Sequence, residues 1–236
     1  MPDRRYTIVS TSPLPMERVG NIPESIDILV LPFTEILAVN NEKIRSRVRQ
    51  LAAEKINAVF TSSHAVRIVA ALVTGKQDWK IYCTRNETRA AAIHSFGKEQ
   101  IAGFAANAEE LSSLMIENNV PEAVFFCGDQ RLDTLPLKLR NRGTSLHELV
   151  VYETRLTPRS VGRPFDAILF FSPSAVKSFF SMNVLSAGSM AFVMGTTTAE
   201  TLKKFTGSSF IISPEPDKVT LLRMAMEYFT SHPVES

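Results

Sequence analysis

Little in this chain of 236 residues advertises its chemistry: it has two cysteines, one tryptophan and four histidines. Net charge is only +2, from 26 basic and 24 acidic residues, which argues against a broad basic face for nucleic acid or an anionic membrane. A local cluster that takes a small anion is still compatible with it. Cys83 and Cys127 sit in the apolar runs Lys80-Ile81-Tyr82-Cys83 and Val124-Phe125-Phe126-Cys127. That setting predicts two buried free thiols, neither a disulfide nor a metal pair, and a reducing compartment, most simply the cytoplasm. His64, His94, His147 and His232 are widely spaced, so no metal site is expected from them. No apolar run approaches the roughly 18 residues of a membrane span. Met1-Pro2-Asp3-Arg4-Arg5-Tyr6 lacks the apolar core of a signal peptide. G-x-S-x-G, Walker A, G-x-G-x-x-G, H-E-x-x-H and C-x-x-C signatures are all missing, which removes the familiar nucleophile, nucleotide, metal and dithiol chemistries.

What is present is an alternation. Hydrophobic residues make up 44% of the chain, enough for two modest cores. Short apolar runs predict strands at Tyr6–Ser10, Ile26–Leu31, Ala58–Thr61, Lys80–Cys83, Ala123–Cys127, Leu146–Tyr152, Ala167–Phe171, Met190–Met194 and Ser209–Ile212. Longer periodic stretches between them predict helices over 41–55, 64–74, 87–97, 108–119, 132–142, 174–183, 197–206 and 218–230. Asn107 before Ala108-Glu109-Glu110 reads as an N-cap followed by first-turn acids. Gly97, Gly143 and Gly207 read as helix stops. Apolar strands alternating with helices predict an α/β fold with parallel sheets covered on both faces.

A weak internal repeat runs at an offset of 110 residues. Phe60-Thr61-Ser62-Ser63-His64-Ala65-Val66 aligns with Phe170-Phe171-Ser172-Pro173-Ser174-Ala175-Val176, and Lys80–Cys83 with Met190–Val193. Two similar domains follow. The first copy continues into a further strand and helix, Val124 to Arg142, whereas the second runs out of chain; the strand at Thr7–Ser10 can supply its missing piece. The expected layout is one discontinuous domain, 1–31 with 159–236, and one inserted domain, 38–145, joined by segments 32–37 and 146–158. Two strand-end edges facing across such a hinge would form a ligand cleft.

The chemistry then falls to polar turns after strands. Ser62, Ser63, Ser172 and Ser174 lead into helices, where hydroxyls and backbone N–H groups suit an anion; plain N-capping is the other reading. Gly195-Thr196-Thr197-Thr198-Ala199 reads equally as an anion cradle or a cap. Gly128 permits close approach, and Arg131 suits either a carboxylate partner or an ordinary exposed arginine. Tyr152, in an expected connecting strand, is either a proton or hydrogen-bond donor or a packing residue.

In order and spacing these turns resemble the uroporphyrinogen-III synthase family. Cys127-Gly128 through Leu135, Leu139 and Gly143 to Val151-Tyr152-Glu153-Thr154 is similar to the family's Gly-turn, Leu-rich helix and V-Y-x-T element. Phe165-Asp166 through Phe171-Ser172-Pro173-Ser174-Ala175-Val176, Gly195-Thr196-Thr197-Thr198-Ala199 and Phe60-Thr61-Ser62-Ser63-His64-Ala65-Val66 resemble its other turns. The likeness covers about residues 56–230. Three places depart from it: Thr11-Ser12-Pro13 stands where the family has T-R-P, the stretch from Pro13 to Ile26 is short, and Thr84-Arg85-Asn86-Glu87-Thr88 replaces a glycine-containing turn. The resemblance implies two hinged flavodoxin-like domains; no cofactor is expected, and a monomer is expected. Its substrate would be the linear tetrapyrrole hydroxymethylbilane. The implied reaction loses water from the terminal hydroxymethyl group and inverts the last pyrrole through a spirocyclic intermediate. On that reading Tyr152 is expected to assist departure of hydroxide as general acid or hydrogen-bond donor. The backbone and hydroxyls at Ser62, Ser63, Ser172, Ser174, Thr197 and Thr198 would hold acetate and propionate groups, with Gly128 and Gly195 allowing close approach and Arg131 adding charge. Because that substrate closes spontaneously to the wrong isomer, such an enzyme has mainly to control geometry. The competing expectation is a non-catalytic protein that closes on an anionic metabolite.

Overall fold

The structure, a computed structural model, describes residues 5–231; residues 1–4, which open the N-terminal stretch read above, and 232–236, which include His232, lie outside the described residues. The chain divides into two compact units, Met1–Glu35 with Arg155–Ser236, and Ile36–Thr154.

The discontinuous unit is built from β1 (Tyr6–Ser10), β2 (Ile26–Val30), β9 (Ala167–Phe170), α6 (Pro173–Phe180), β10 (Met190–Val193), α7 (Thr196–Leu202), β11 (Phe210–Ile212) and α8 (Lys218–Ser231). Its sheet runs β11-β10-β9-β1-β2, all parallel. Strand β9 shows why it is parallel and central. Every residue is buried: Ala167 and Leu169 join the core under α8, while Ile168 and Phe170 join the core under α6 and α7. A strand apolar at consecutive positions needs cover on both faces, which the crossover helices of a parallel sheet provide.

The inserted unit carries α1 (Glu42–Ala52), β4 (Ile56–Phe60), α2 (Ser63–Ala70), β5 (Trp79–Thr84), α3 (Glu87–Phe96), β6 (Ile101–Ala105), α4 (Ala108–Glu117), β7 (Glu122–Gly128), α5 (Thr134–Asn141) and most of β8 (Ser145–Leu156). With β3 (Thr34–Ala38) it forms a sheet in the order β3-β8-β7-β4-β5-β6. Here β7 alternates in the same way, Val124 and Phe126 toward one core and Ala123, Phe125 and Cys127 toward the other. The segments 32–37 and 146–158 are therefore more than connections, because they carry β3 and β8 as hydrogen-bonded sheet members.

The 110-residue offset holds at the level of elements. Helices α2 and α6 begin at residues 63 and 173, and α4 and α8 at 108 and 218. Strand β3 and strand β6 were not expected from the sequence. Strand β6 reads Ile101-Ala102-Gly103-Phe104-Ala105, poor in β-branched residues and interrupted by glycine. Cys83 and Cys127 are free and buried, and burial pushes each thiol up to about 11.

Candidate functional site

In open α/β sheets, ligands bind beyond the carboxyl ends of the strands, where the direction of the connections reverses. In the inserted unit the chain proceeds from β4 to β5 and β6 on one side, then to β7 and β8 on the other, so the reversal falls between β4 and β7. Ser62 and Ser63 follow β4, and Gly128 ends β7.

Tyr152 reaches this point through an irregularity. The register between β7 and β8 pairs Cys127 with Val150 but Gly128 with Tyr152, so Val151 is the extra residue of a bulge. In an unbroken strand Tyr152 would face away from Leu149 and Val151. The bulge turns it toward their side, where it packs on the same core. Its ring lies over Gly128: a Cβ built there would stand 2.8 Å from the tyrosine hydroxyl and closer still to the ring carbons. Glycine is thus required at 128 by close approach.

The Tyr152 phenol lies near enough to the Ser62 side chain to feel it electrostatically, and its ring meets His64 edge-on at 6.0 Å. Burial raises the phenol above its ordinary pKa; Cys127 and Asp129 act in the same direction and the Ser62 side chain opposes them. The group therefore stays protonated, a donor and not a base, through the neutral range. Ser62 also caps α2, accepting from the His64 N–H at 3.2 Å. The turn after β7 is stitched to β8: the Asp129 N–H donates to the Tyr152 carbonyl at 3.1 Å, and Asp129 Oδ1 accepts from the Thr154 N–H at 2.8 Å.

Arg131 does not present an unbalanced charge. Its Nε pairs with Glu148 and its Nη1 with Asp133 at 2.6 Å, while Arg140 reaches the other Glu148 oxygen at 2.5 Å. Nothing local in the sequence announced those partners, the farther one lying 17 residues away. Ser63 is 6% exposed, with its Oγ accepting from Arg67 at 3.4 Å, so its hydroxyl faces inward.

In the discontinuous unit the reversal lies between β1 and β9. Ser172 follows β9 and caps α6, accepting from the Ala175 N–H at 3.2 Å. Gly195 follows the neighbouring β10 at φ +81°, with nothing within 4 Å of where a Cβ would stand. Of the remaining expected residues, Thr197 is exposed, whereas Ser174 and Thr198 are 7% and 2% exposed and turn their side chains into the packing. Lys218, unexpected from the sequence, places its Nζ 2.9 Å from Ser12 Oγ and 3.0 Å from the Pro13 carbonyl, bringing a cation to the turn after β1. The structure thus brings Tyr152, Ser62 and Gly128 together in one unit, and sets Ser172 and Gly195 at neighbouring strand ends of the other.

Comparison with known proteins gives this arrangement a context. The family model for uroporphyrinogen-III synthase HemD matches residues 24–223. The structure of uroporphyrinogen-III synthetase from Helicobacter pylori 26695 is similar, with TM-score 0.62 and 18% identity over 95% of this chain and 99% of that one. A mutant uroporphyrinogen III synthase from the extremely thermophilic bacterium Thermus thermophilus gives TM-score 0.61 and 16% identity over 96% and 99%. No curated protein matches the sequence.

Proposed function

The chain belongs to the uroporphyrinogen-III synthase family, a lyase of tetrapyrrole biosynthesis, and on that premise we propose that Tyr152 is its proton-holding catalytic group. The observation that carries the proposal is the phenol held against Gly128 and Ser62 at the reversal point of the inserted unit's sheet. As hydroxymethylbilane loses its terminal hydroxyl, the C–O bond breaks and the departing oxygen gathers negative charge. A phenol kept protonated by burial donates a hydrogen bond to that oxygen, which leaves as water once it is protonated. Ring closure and inversion then depend on how the chain is held, and orientation of this kind supplies on the order of 7–11 kcal/mol in favourable cases.

Acetate and propionate groups are taken by the turns of each unit. Ser62 and Ser172 offer hydroxyls and helix-start amides, and Thr197 an exposed hydroxyl. Ser63, Ser174 and Thr198 act through backbone amides, their side chains being buried. Gly128 makes room for the Tyr152 ring, Gly195 leaves open space for close approach, and Arg131 contributes by holding its turn through Asp133 and Glu148. A cytoplasmic setting belongs to the same reading, supported by two free thiols. Among the described residues no helix is long and apolar enough to cross a membrane.

The test is Tyr152→Phe, assayed with freshly generated hydroxymethylbilane and separation of isomers I and III after oxidation. Turnover to isomer III should fall by about 100-fold, with stability nearly unchanged. Wild-type turnover in the variant removes the tyrosine from the chemistry, and wild-type protein that yields only isomer I at the spontaneous rate leaves the metabolite-binding reading.

A further inference from the structure

A second polar feature of the inserted unit shares no residue with the Tyr152 site. Helix α1 carries three arginines in a row of alternate positions. Arg47 and Arg49 are ion-paired, with Glu54 at 3.1 Å and Glu42 at 3.2 Å. Arg45 is not: among the described residues no carboxylate pairs with it. Its guanidinium has five N–H donors to satisfy. It makes one long hydrogen bond, Nη1 to Asn40 Oδ1 at 3.4 Å, and its Nε is buried with no partner.

This under-used cation borders a pocket of about 300 Å³. Asn40 is the other polar wall. The remaining lining is aliphatic: Ala38 and Val39 at the end of β3, and Ile68, Ala71 and Leu72 along α2 and its end. The volume is at the small end of the range that holds organic ligands.

We propose that this pocket binds a small monocarboxylate with a compact apolar body. The carboxylate lies on the Arg45 guanidinium, which suits a planar two-oxygen acceptor, and the body lies against Ile68 and Leu72. One cation in the lining excludes a dicarboxylate held at both ends. Aliphatic walls exclude a phosphate, whose remaining oxygens would lose hydration with nothing in return.

The test uses benzoate as probe and benzamide as its neutral counterpart, followed through methyl resonances in NMR titrations of the full chain. Benzoate should shift Val39, Ile68 and Leu72 saturably, and benzamide should bind about tenfold more weakly or worse. Arg45→Leu should weaken benzoate by at least about tenfold. Ala71→Phe, at an exposed position, should block the pocket while leaving Arg45 in place. No saturable shift, equal binding of the amide, or binding that survives both substitutions overturns the proposal. Shifts centred on Tyr152 in place of Ile68 also overturn it. None of these outcomes bears on the synthase reading, since turnover is not the readout.

Discussion

The two units share a five-strand parallel order but draw it from different parts of the chain. Reading β11-β10-β9-β1-β2 beside β6-β5-β4-β7-β8 pairs five strands with spatial counterparts and leaves β3 as an extra edge strand beside β8, but β1 and β2 come from the start of the chain whereas β7 and β8 follow their own domain. The layout of strands is therefore independent of the order in which the chain visits them. Cover is where the units differ. In the inserted unit one face is covered by α4, burying Leu111, Ser112 and Met115, and by α5, burying Leu135, Pro136 and Leu139. At the place of α5 the discontinuous unit has only a three-residue 3₁₀ turn, Met16–Arg18, with no buried residue. Its α8 compensates: it is 14 residues long against 10 in α4 and buries Val219, Leu221, Leu222, Ala225, Met226 and Phe229. The edges differ as well. Strands β7 and β8 run 7 and 12 residues, β1 and β2 only 5 each, so only the inserted unit carries a strand far enough to bear Gly128 and Tyr152.

If α8 does the covering of two helices, its far end should be costly to truncate. Phe229 is 5% exposed and packs its ring, tilted, against that of Tyr6 in β1 at 4.8 Å between centroids. Phe229→Ala should lower unfolding free energy by about 3–5 kcal/mol, read from the denaturant midpoint. A loss under about 1 kcal/mol would mean that α8 is not the principal cover of that face. Next comes Gly128→Ala, which forces a methyl into the Tyr152 ring. Overpacking there should cost about 1–3 kcal/mol and displace the phenol, so turnover should fall further than stability does. Stability and turnover equal to wild type would show that the Gly128–Tyr152 contact does not position the phenol.

How far the sequence discloses these differences depends on the range of the interaction. Apolar runs and N-caps are local, so Ser62 and Ser172 were legible as helix starts, and the structure finds each accepting from its own helix. The weak repeat was legible because α2 and α6, α4 and α8 keep one offset. Tyr152 was legible as a residue but not as a geometry, since a bulge depends on register with β7 and leaves no mark in β8 alone. The state of Arg131 depends on Glu148 in another element, and Lys218 meets Ser12 from 206 residues away. Strand β3 follows Pro32-Phe33 and is held by pairing with β8, so a chain read in isolation gives it no reason to be a strand. Serines and a threonine were visible as polar turns, but which hydroxyls point inward, as at Ser63, Ser174 and Thr198, is decided by packing.

A third difference between the units lies in the turns before α3 and α7. Gly195 precedes α7 at φ +81°, ψ 163°, a region open almost only to glycine. Asn86 precedes α3 at φ 60°, ψ −125°, so the departure from a glycine turn puts a side chain into strained backbone. Exchanging the two residues should sharpen the contrast with opposite signs. Asn86→Gly should stabilise by about 1 kcal/mol, and Gly195→Asn should destabilise by about 1–3 kcal/mol. Two destabilising results would show that Asn86 is held by interactions worth more than its strain.

The smallest effect is expected at alkaline pH. Cys83 and Cys127 are both held up to about 11, above the ordinary thiol range, by burial first. A folded-state pKa above the unfolded one means that the native state keeps a proton which the unfolded chain releases. The resulting stability is complete below the ordinary thiol range, about pH 8–9, and is lost as pH rises toward 11 and beyond. Tyr152, raised by burial, adds to the same slope at higher pH. Native protein at about pH 8 should therefore react with a thiol reagent only as fast as it opens, and unfolding titrations should show stability declining above about pH 9. Cys127 stands one residue before Gly128, in the strand that ends at the Tyr152 contact, whereas Cys83 packs between β4 and β6 in the opposite half of the same sheet. Labelling that modifies Cys127 well before Cys83 would show that the β7 edge opens independently, and so that the Tyr152 contact is the weaker part of the inserted unit. Simultaneous labelling at the rate of global unfolding would show the sheet opening as one body, with Tyr152 as firmly seated as its core.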